Sequence, residues 1–491
     1  MTDKTVRGES GSSAQIGRSQ KPVPAGIDAT ALQYAHPGKD GVLDVVMGID
    51  FGTSASKIVI QAPFNRAIPP YAVEFGEHSH KSMAFLLPTK LWVKDGRCLL
   101  PLRANTSRDG AVEVGDIKLE LFAKDKPLRS NQGPSHHKLS AEVIAVAYLA
   151  LAMRYSRQWL LESRSDVLRR FSQLKWSVNL GVPSPCMDGN EENQRFNRVG
   201  KAAWLLSVLE ADITVGKAER ELHHLEEFPD YWKQDPDKLS CDFRVLPEVV
   251  AAAIGYARSE QRRDGIHVMV DVGAATLDVC SFNLHGSKAT DQYSLLTANV
   301  KQFGTIRLFQ ERVDAIKKMH DGLARKLRAE HDPLQPIAED IERYLPTTSQ
   351  VDAALGQAVK DLVHACGTML SSVICDLKIN RVPQSNWIWD NHIPVLLTGG
   401  GCELPLFKNV FGELNDWVKF YAANDGIRQS YVPVPAALAT RVDEQRRLAV
   451  AWGLSHHELD IGDVTPADRI PNIVPPPRLD LDDGFVSKDQ T

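Results

Sequence analysis

Three short motifs, far apart in the chain, set a reactive or contact-making group beside glycine. The first is Gly48-Ile49-Asp50-Phe51-Gly52-Thr53-Ser54-Ala55-Ser56-Lys57. An apolar run delivers a carboxylate at Asp50, and Gly52 lets the chain turn tightly. Backbone N–H groups and the hydroxyls of Thr53 and Ser54 can then face an anion. A carboxylate beside phosphates needs a cation between them, so Asp50 implies Mg2+, held largely through water. The second motif is Val270-Asp271-Val272-Gly273-Ala274-Ala275-Thr276-Leu277-Asp278-Val279. It repeats the order strand, Asp, spacer, Gly, small residues, hydroxyl, strand. The third, Pro394-Val395-Leu396-Leu397-Thr398-Gly399-Gly400-Gly401-Cys402-Glu403-Leu404-Pro405, opens from a buried run into glycines and then a helix. Glycines let a ring or sugar pack on the backbone, and a helix N-terminus favours phosphate oxygens. Taken singly, an ordinary glycine turn explains each motif. Two Asp-x-Gly turns facing one another could clamp a phosphate chain from both sides.

The surrounding sequence reads as mixed α/β. Residues 45–50 and 57–60 form one expected hairpin, and 85–100 another that turns at Lys94-Asp95-Gly96-Arg97. A long helix is expected over 139–162 with Ser140 as its N-cap. A strand over 176–182 stops at Pro183, and helices follow over 193–209 and 249–258. Residues 266–272 and 277–284 repeat the first hairpin pattern, 305–377 are mostly helical, and 395–397 are a buried strand. The order suggests two similar halves.

The chain has 491 residues, 43% hydrophobic and 24% charged, enough for two or more globular cores. A formal net charge of -5 gives nucleic-acid binding no compositional support. The seven cysteines form no CxxC pair, so reduced thiols are expected. No basic-then-apolar leader is seen, and no apolar run is expected to reach the ~20 residues that span a bilayer. These features lead to an expected cytoplasmic location. The expected organisation is a flexible arm over 1–42, a first lobe over 43–262 and a second over 263–440. The first lobe includes a charged insertion over 211–242, read as a solvated excursion. A closing helix over 441–457 returns to the first lobe. An extended acidic, proline-rich tail over 458–491 could dock through Ile461, Ile473, Val474 or Phe485.

In this order the three motifs resemble the phosphate-one, phosphate-two and adenosine motifs of the actin, sugar-kinase and heat-shock-70 ATPase superfamily. Further segments resemble its heat-shock-70 (DnaK-type) branch. They are Asp116-Ile117-Lys118, Leu139-Ser140-Ala141-Glu142, Val178 to Pro183 followed by Gln194-Arg195, the helix opened by Glu248, and Ala449-Val450-Ala451-Trp452-Gly453. The resemblance covers residues 45–454. It implies an α/β, actin-like ATPase fold, with two lobes each built on a ribonuclease-H-like mixed sheet flanked by helices. It also implies ATP/ADP and Mg2+ as ligands.

By that resemblance Asp50 and Asp271 flank the hydrated Mg2+, Glu248 orients the attacking water, and Lys118 stabilises charge shifting onto the γ-phosphate. Gly52, Thr53, Ser54, Gly273 and Thr276 line the phosphates, and Gly399, Gly400 and Gly401 approach the adenosine. Pro183 and Arg195 couple nucleotide state to lobe geometry. The plain alternatives are a solvated lysine at 118, a helix-start acid at 248 and an ordinary strand-ending proline at 183. The chain departs from the family at Ala274 and Ala275, where glycine is usual, and at Val249, where proline is usual. The family's Lys-Arg-x-x-Ser adenine helix has no counterpart over 306–377. The stretch after the closing helix is too short for the family's peptide-binding β-sandwich and lid. The implied function is a chaperone-like, ATP-binding and slowly ATP-hydrolysing switch that acts on a protein partner without a peptide-binding domain. An actin-like filament-forming ATPase and a nucleotide-binding pseudo-ATPase stay open as alternatives. A small-molecule kinase would need an aspartate base beside a sugar-sized pocket, for which no motif is found.

Overall fold

The computed structural model describes residues 40–80, 83–102, 110–122, 140–183, 191–234, 240–287, 290–318, 320–330, 349–381, 393–412, 427–438 and 442–470. The first sheet contains β1 (Val42–Asp50), β2 (Ala55–Gln61), β3 (Tyr71–Ala72), β4 (Gln173–Val182) and β5 (Asp242–Pro247), in the order β3-β2-β1-β4-β5. A short strand, Leu87–Pro88, pairs with β2. The second sheet contains β6 (Gly265–Val272), β7 (Leu277–His285), β8 (Gln292–Lys301), β9 (Ile393–Thr398) and β10 (Ile427–Tyr431), in the order β8-β7-β6-β9-β10. Strand order and direction are the same in both. A hairpin opens each sheet, its second strand pairs with the third in antiparallel fashion, and two parallel strands follow on the other side.

Side chains alternate across a strand, and this alternation decides what faces what. Val45, Met47 and Ile49 pack into the first core, so Gly48 and Asp50 lie on the opposite face of β1. Val268, Val270 and Val272 pack into the second core, so Met269 and Asp271 lie on the opposite face of β6. Between the sheets run two helices of matching sequence pattern, α5 (Glu248–Ala257) and α8 (Val442–Leu454). They follow β5 and β10, and cross at close range. A Cβ on Gly453 would land on the carbonyl oxygen of Ala251, so only glycine fits there. Its counterpart Gly255 is looser, with Trp452 Cδ1 at 3.0 Å from such an atom. Asn179 Nδ2 donates to the carbonyls of Leu454 and His456, at 2.7 and 2.9 Å, and so fixes the end of α8 to β4.

The outer face of the first sheet carries α1 (Ile117–Phe122), α2 (Ala141–Ser163), α3 (Glu191–Leu209) and α4 (Val215–Glu227). The second sheet carries α6 (Thr305–Lys317) and α7 (Ser349–Asp376). The expected hairpin at Asp95-Gly96 is present, and both residues have positive φ, at 49° and 75°, as a tight two-residue turn requires.

Three expectations are corrected. Part of the 211–242 stretch is built into the core of the first sheet rather than solvated: Ile213, Ala218, Leu222 and Leu225 are buried there. Residues 458–470 are folded rather than an extended tail. Ile461 is buried, and Asp463–Thr465 joins the second sheet as β11, parallel to β8; the other proposed docking residues and, of the expected arm over 1–42, residues 1–39 lie outside the described residues. Gly356–Arg381 is long and apolar enough to cross a membrane. Its Leu362, Cys366, Leu370, Val373 and Ile374 are buried against the second sheet, and this packing accounts for its apolar character.

Candidate functional site

Parallel strands that end at one edge bring their following residues together there. At the first sheet β1 ends in Asp50, β4 leads to Pro183, and β5 leads to Glu248. At the second, β6 carries Asp271 next to its last residue, and β9 ends in Thr398 before Gly399. Asp271 and Thr398 are register partners. Asp50 and Asp271 are both nearly buried, at 5% and 8% exposure.

Each hairpin adds a partner to its carboxylate. Lys57 stands opposite Asp50 across β1 and β2, with Nζ 2.9 Å from Oδ2. Asp278 stands opposite Asp271 across β6 and β7. Lys118, in the first turn of α1, donates from Nζ to Glu248 Oε1 at 2.5 Å. Ile117 and Leu121, buried in the first core, anchor that helix. Just before it, Asp116 takes a positive φ of 53° and accepts the N–H of Glu120. Such backbone is uncommon for a residue other than glycine.

The charges of these groups act on one another, which places them in one cluster. Burial raises the Asp271 carboxyl well above its usual range. Asp278, Glu248 and Asp50 push it the same way, and Lys57 opposes them. Asp278 is raised to about 7, first by burial and then by Glu248, against the pull of Thr276 and Lys118. Burial raises Glu248 too, opposed by Lys118 and helped by Asp50. For Lys118 burial alone would lower the pKa, but the charges of Glu248, Asp50 and Asp278 outweigh it, so its pKa rises and the ammonium is kept. Asp50, Glu248, Asp271 and Asp278 face Lys57 and Lys118, an excess of two negative charges when all six are ionised.

Three buried oxygens of the same neighbourhood lack a hydrogen-bond partner: Ser54 Oγ, Asp278 Oδ1 and Thr398 Oγ1. Buried polar groups are nearly always paired, so these suit a polar ligand. Among the described residues no group of three or more His, Cys, Asp or Glu side chains is set to hold a bare metal ion. A divalent cation held through its water shell would need no such group.

The remaining sequence-derived residues fall as follows. Gly52, Thr53 and Ser54 form the turn after β1. Thr89 holds it, its Oγ1 donating to Gly52 O at 2.7 Å and its N–H to Ser54 O at 3.0 Å. In the second turn the Gly273 N–H closes onto Thr276 O at 2.9 Å, and Thr276 Oγ1 donates to Asp278 Oδ2 at 2.8 Å. Both groups are thus spent within the hairpin. The carbonyls of Gly273 and Ala274 accept N–H groups from the start of α6. Gly399 has a φ of 87°, and a Cβ there would strike Asp271 Oδ1. A Cβ on Gly400 would meet Arg447 Nη1 at 2.6 Å, and one on Gly401 would strike Val272. Gly399 and Gly401 are thus already required by the protein's own packing, whereas at Gly400 the neighbour is the movable end of a long side chain. Arg195 lies behind the cluster, bonding Leu121 O at 2.9 Å and pairing with Glu142 at 3.2 Å. It braces the helix of Lys118.

Lys57, Asp278 and Thr398 belong to the cluster, although sequence reading gave them no role. The signal was available: Lys57 and Asp278 occupy equivalent places in the two motifs, each opposite its aspartate in a hairpin. No protein-family model matches the chain, and no curated protein matches it.

Proposed function

We propose that the chain is an ATP-binding, slowly ATP-hydrolysing molecular switch with the actin-like two-lobed ATPase architecture, and that it acts on a protein partner. The observation that carries this reading is the single charge cluster formed by Asp50, Lys118 and Glu248 of one lobe with Asp271 and Asp278 of the other. The duplicated strand order and the paired crossing helices support it, because a ligand held at both sheet edges would bias how the lobes meet.

In this reading the triphosphate lies between the two turns. Asp50 and Asp271, with Asp278 beside them, would hold hydrated Mg2+, which when bound neutralises phosphate charge. Lys118 places a fixed positive charge where negative charge grows on the transferring phosphoryl group, an effect that needs no reorganisation at the moment of reaction. Glu248, raised by burial and steadied by Lys118, accepts a hydrogen bond from the attacking water and orients it. Arg195 and Pro183 transmit the position of α1 and β4 to the rest of the first lobe. A partner would read the difference between the ATP and ADP states.

Single-turnover hydrolysis tests the reading. Lys118→Ala is expected to slow hydrolysis about 100-fold or more, while ATP still raises the melting temperature of the variant. Unchanged turnover would remove Lys118 from the chemistry, and no ATP-dependent stabilisation of the wild type would remove ATP as ligand.

A further inference from the structure

We propose that a pocket at the far end of the second sheet binds a small phosphate monoester, held between the guanidinium groups of Arg263 and Arg428 with the hydroxyl of Ser430 beside them. The pocket has a volume of about 300 Å³ and is lined by the end of α5, the loop into β6 and the first residues of β9 and β10. That size suits a phosphate with a few carbons attached. It is a separate place from the charge cluster. α5 opens with Glu248 in the cluster and brings Tyr256 to the pocket, roughly 12 Å further along at 1.5 Å per residue. β6 likewise carries Asp271 at its other end.

Register brings one arginine and the serine to the pocket. Arg428 is the partner of Pro394 in β9, and Ser430 is the partner of Leu396, which in turn stands beside Met269 of β6. Alternation therefore puts Arg428 and Ser430 on the face that carries Met269 and Leu396, the face against which α5 and α8 pack. Arg428 is exposed and Ser430 half-buried, so this end of the face is open to solvent.

The loop after α5 supplies the second arginine and is held from two sides. Arg262 is used up within the protein: it bonds Asp291 at 2.6 Å, Asp264 at 2.9 Å and the carbonyl of Gly286 at 3.0 Å. Its neighbour Arg263 is fixed by its backbone, whose N–H donates to the Tyr256 hydroxyl at 3.0 Å. Burial lowers the pKa of His267 to about 4, so its ring is neutral. Its Nδ1 meets the carbonyl of Gly265 and must donate, which leaves Nε2 to accept the Tyr256 O–H at 3.2 Å. Tyr256 thus anchors the loop, and the charge of Arg263 falls on its ring. Among the described residues no carboxylate pairs with the guanidinium of Arg263 or of Arg428. Glu260 is the acid in the lining, set against three arginines. Two guanidinium forks on different elements, with a hydroxyl between strands, match the several oxygens and double charge of a phosphate monoester better than the two oxygens of a carboxylate.

Calorimetric titration of the full chain with glycerol 2-phosphate tests the site. The wild type is expected to bind one molecule saturably. Arg428→Ser and Arg263→Ser, which change exposed side chains, should each weaken binding about tenfold or more, the size of a lost bond between charged groups. Succinate should bind at least about tenfold more weakly than glycerol 2-phosphate, having no dianionic head to share between the forks. No saturable binding by the wild type overturns the proposal. Unchanged affinity in both serine variants overturns it too, because the ligand then sits elsewhere. Succinate binding as tightly as the phosphate ester overturns the assignment of ligand class.

Discussion

The two sheets carry the same hairpin with opposite electrostatics. In the first, Asp50 faces Lys57 and the pair is neutral. In the second, Asp271 faces Asp278, and both carboxyls hold their protons more tightly than usual. Topology, register and burial are alike, so the contrast comes from one side chain per hairpin. The first hairpin balances its aspartate with a cation of its own, whereas the second sets two carboxyls side by side.

A second contrast concerns the crossing helices. Gly255 of α5 and Gly453 of α8 occupy matching places, but only at Gly453 would a Cβ collide with backbone; from Gly255 the nearest backbone atom, Ala449 O, would lie at 3.6 Å. Gly453→Ala is expected to destabilise the fold by about 2–4 kcal/mol through overpacking against a group that cannot rotate away. Gly255→Ala, which meets the edge of Trp452, should cost no more than about 1.5 kcal/mol. Urea unfolding of both variants checks this, and equal losses would mean that the two helices are interchangeable at their crossing.

A somewhat smaller effect is expected at the second hairpin. Asp278 is protonated in the folded chain up to about pH 7, while an unfolded aspartate ionises near pH 4. The folded state therefore binds the extra proton between those values, and stability contributed by Asp278 falls as pH rises from about 4 through 7 and is level above. Asp278→Asn should raise stability by about 1–3 kcal/mol at pH 8 and by progressively less toward pH 4. Chemical denaturation at several pH values reads the slope. A variant less stable than the wild type at pH 8 would show that the carboxylate is stabilised, not strained, and would erase the contrast between the hairpins.

Much of this arrangement was legible in the sequence, because strands announce themselves by alternation and turns by glycine. Both hairpins, the long helix α2 and the crossing helix α5 lie where the residue pattern put them. Glu248 and Lys118 were found through resemblance, since no local pattern says that a residue in one helix will touch a residue opening another. Composition misled at 211–242, where many charged residues hide the buried stripe of Ala218, Leu222 and Leu225. It misled again at 458–470, where a three-residue strand gains its order from the edge of β8 and not from its own sequence. Lys57 and Asp278 were visible but silent, because a charge opposite a charge acquires meaning only once the register is known.

The most direct test is a calorimetric double-mutant cycle for Mg2+·ATP binding with Asp50→Asn, Asp271→Asn and the two combined. If one triphosphate is held between both turns, one ATP binds per chain, each single change weakens binding by about tenfold or more, and the double change costs clearly less than the product of the two. Losses that multiply independently, or no heat of binding by the wild type, would contradict a shared site.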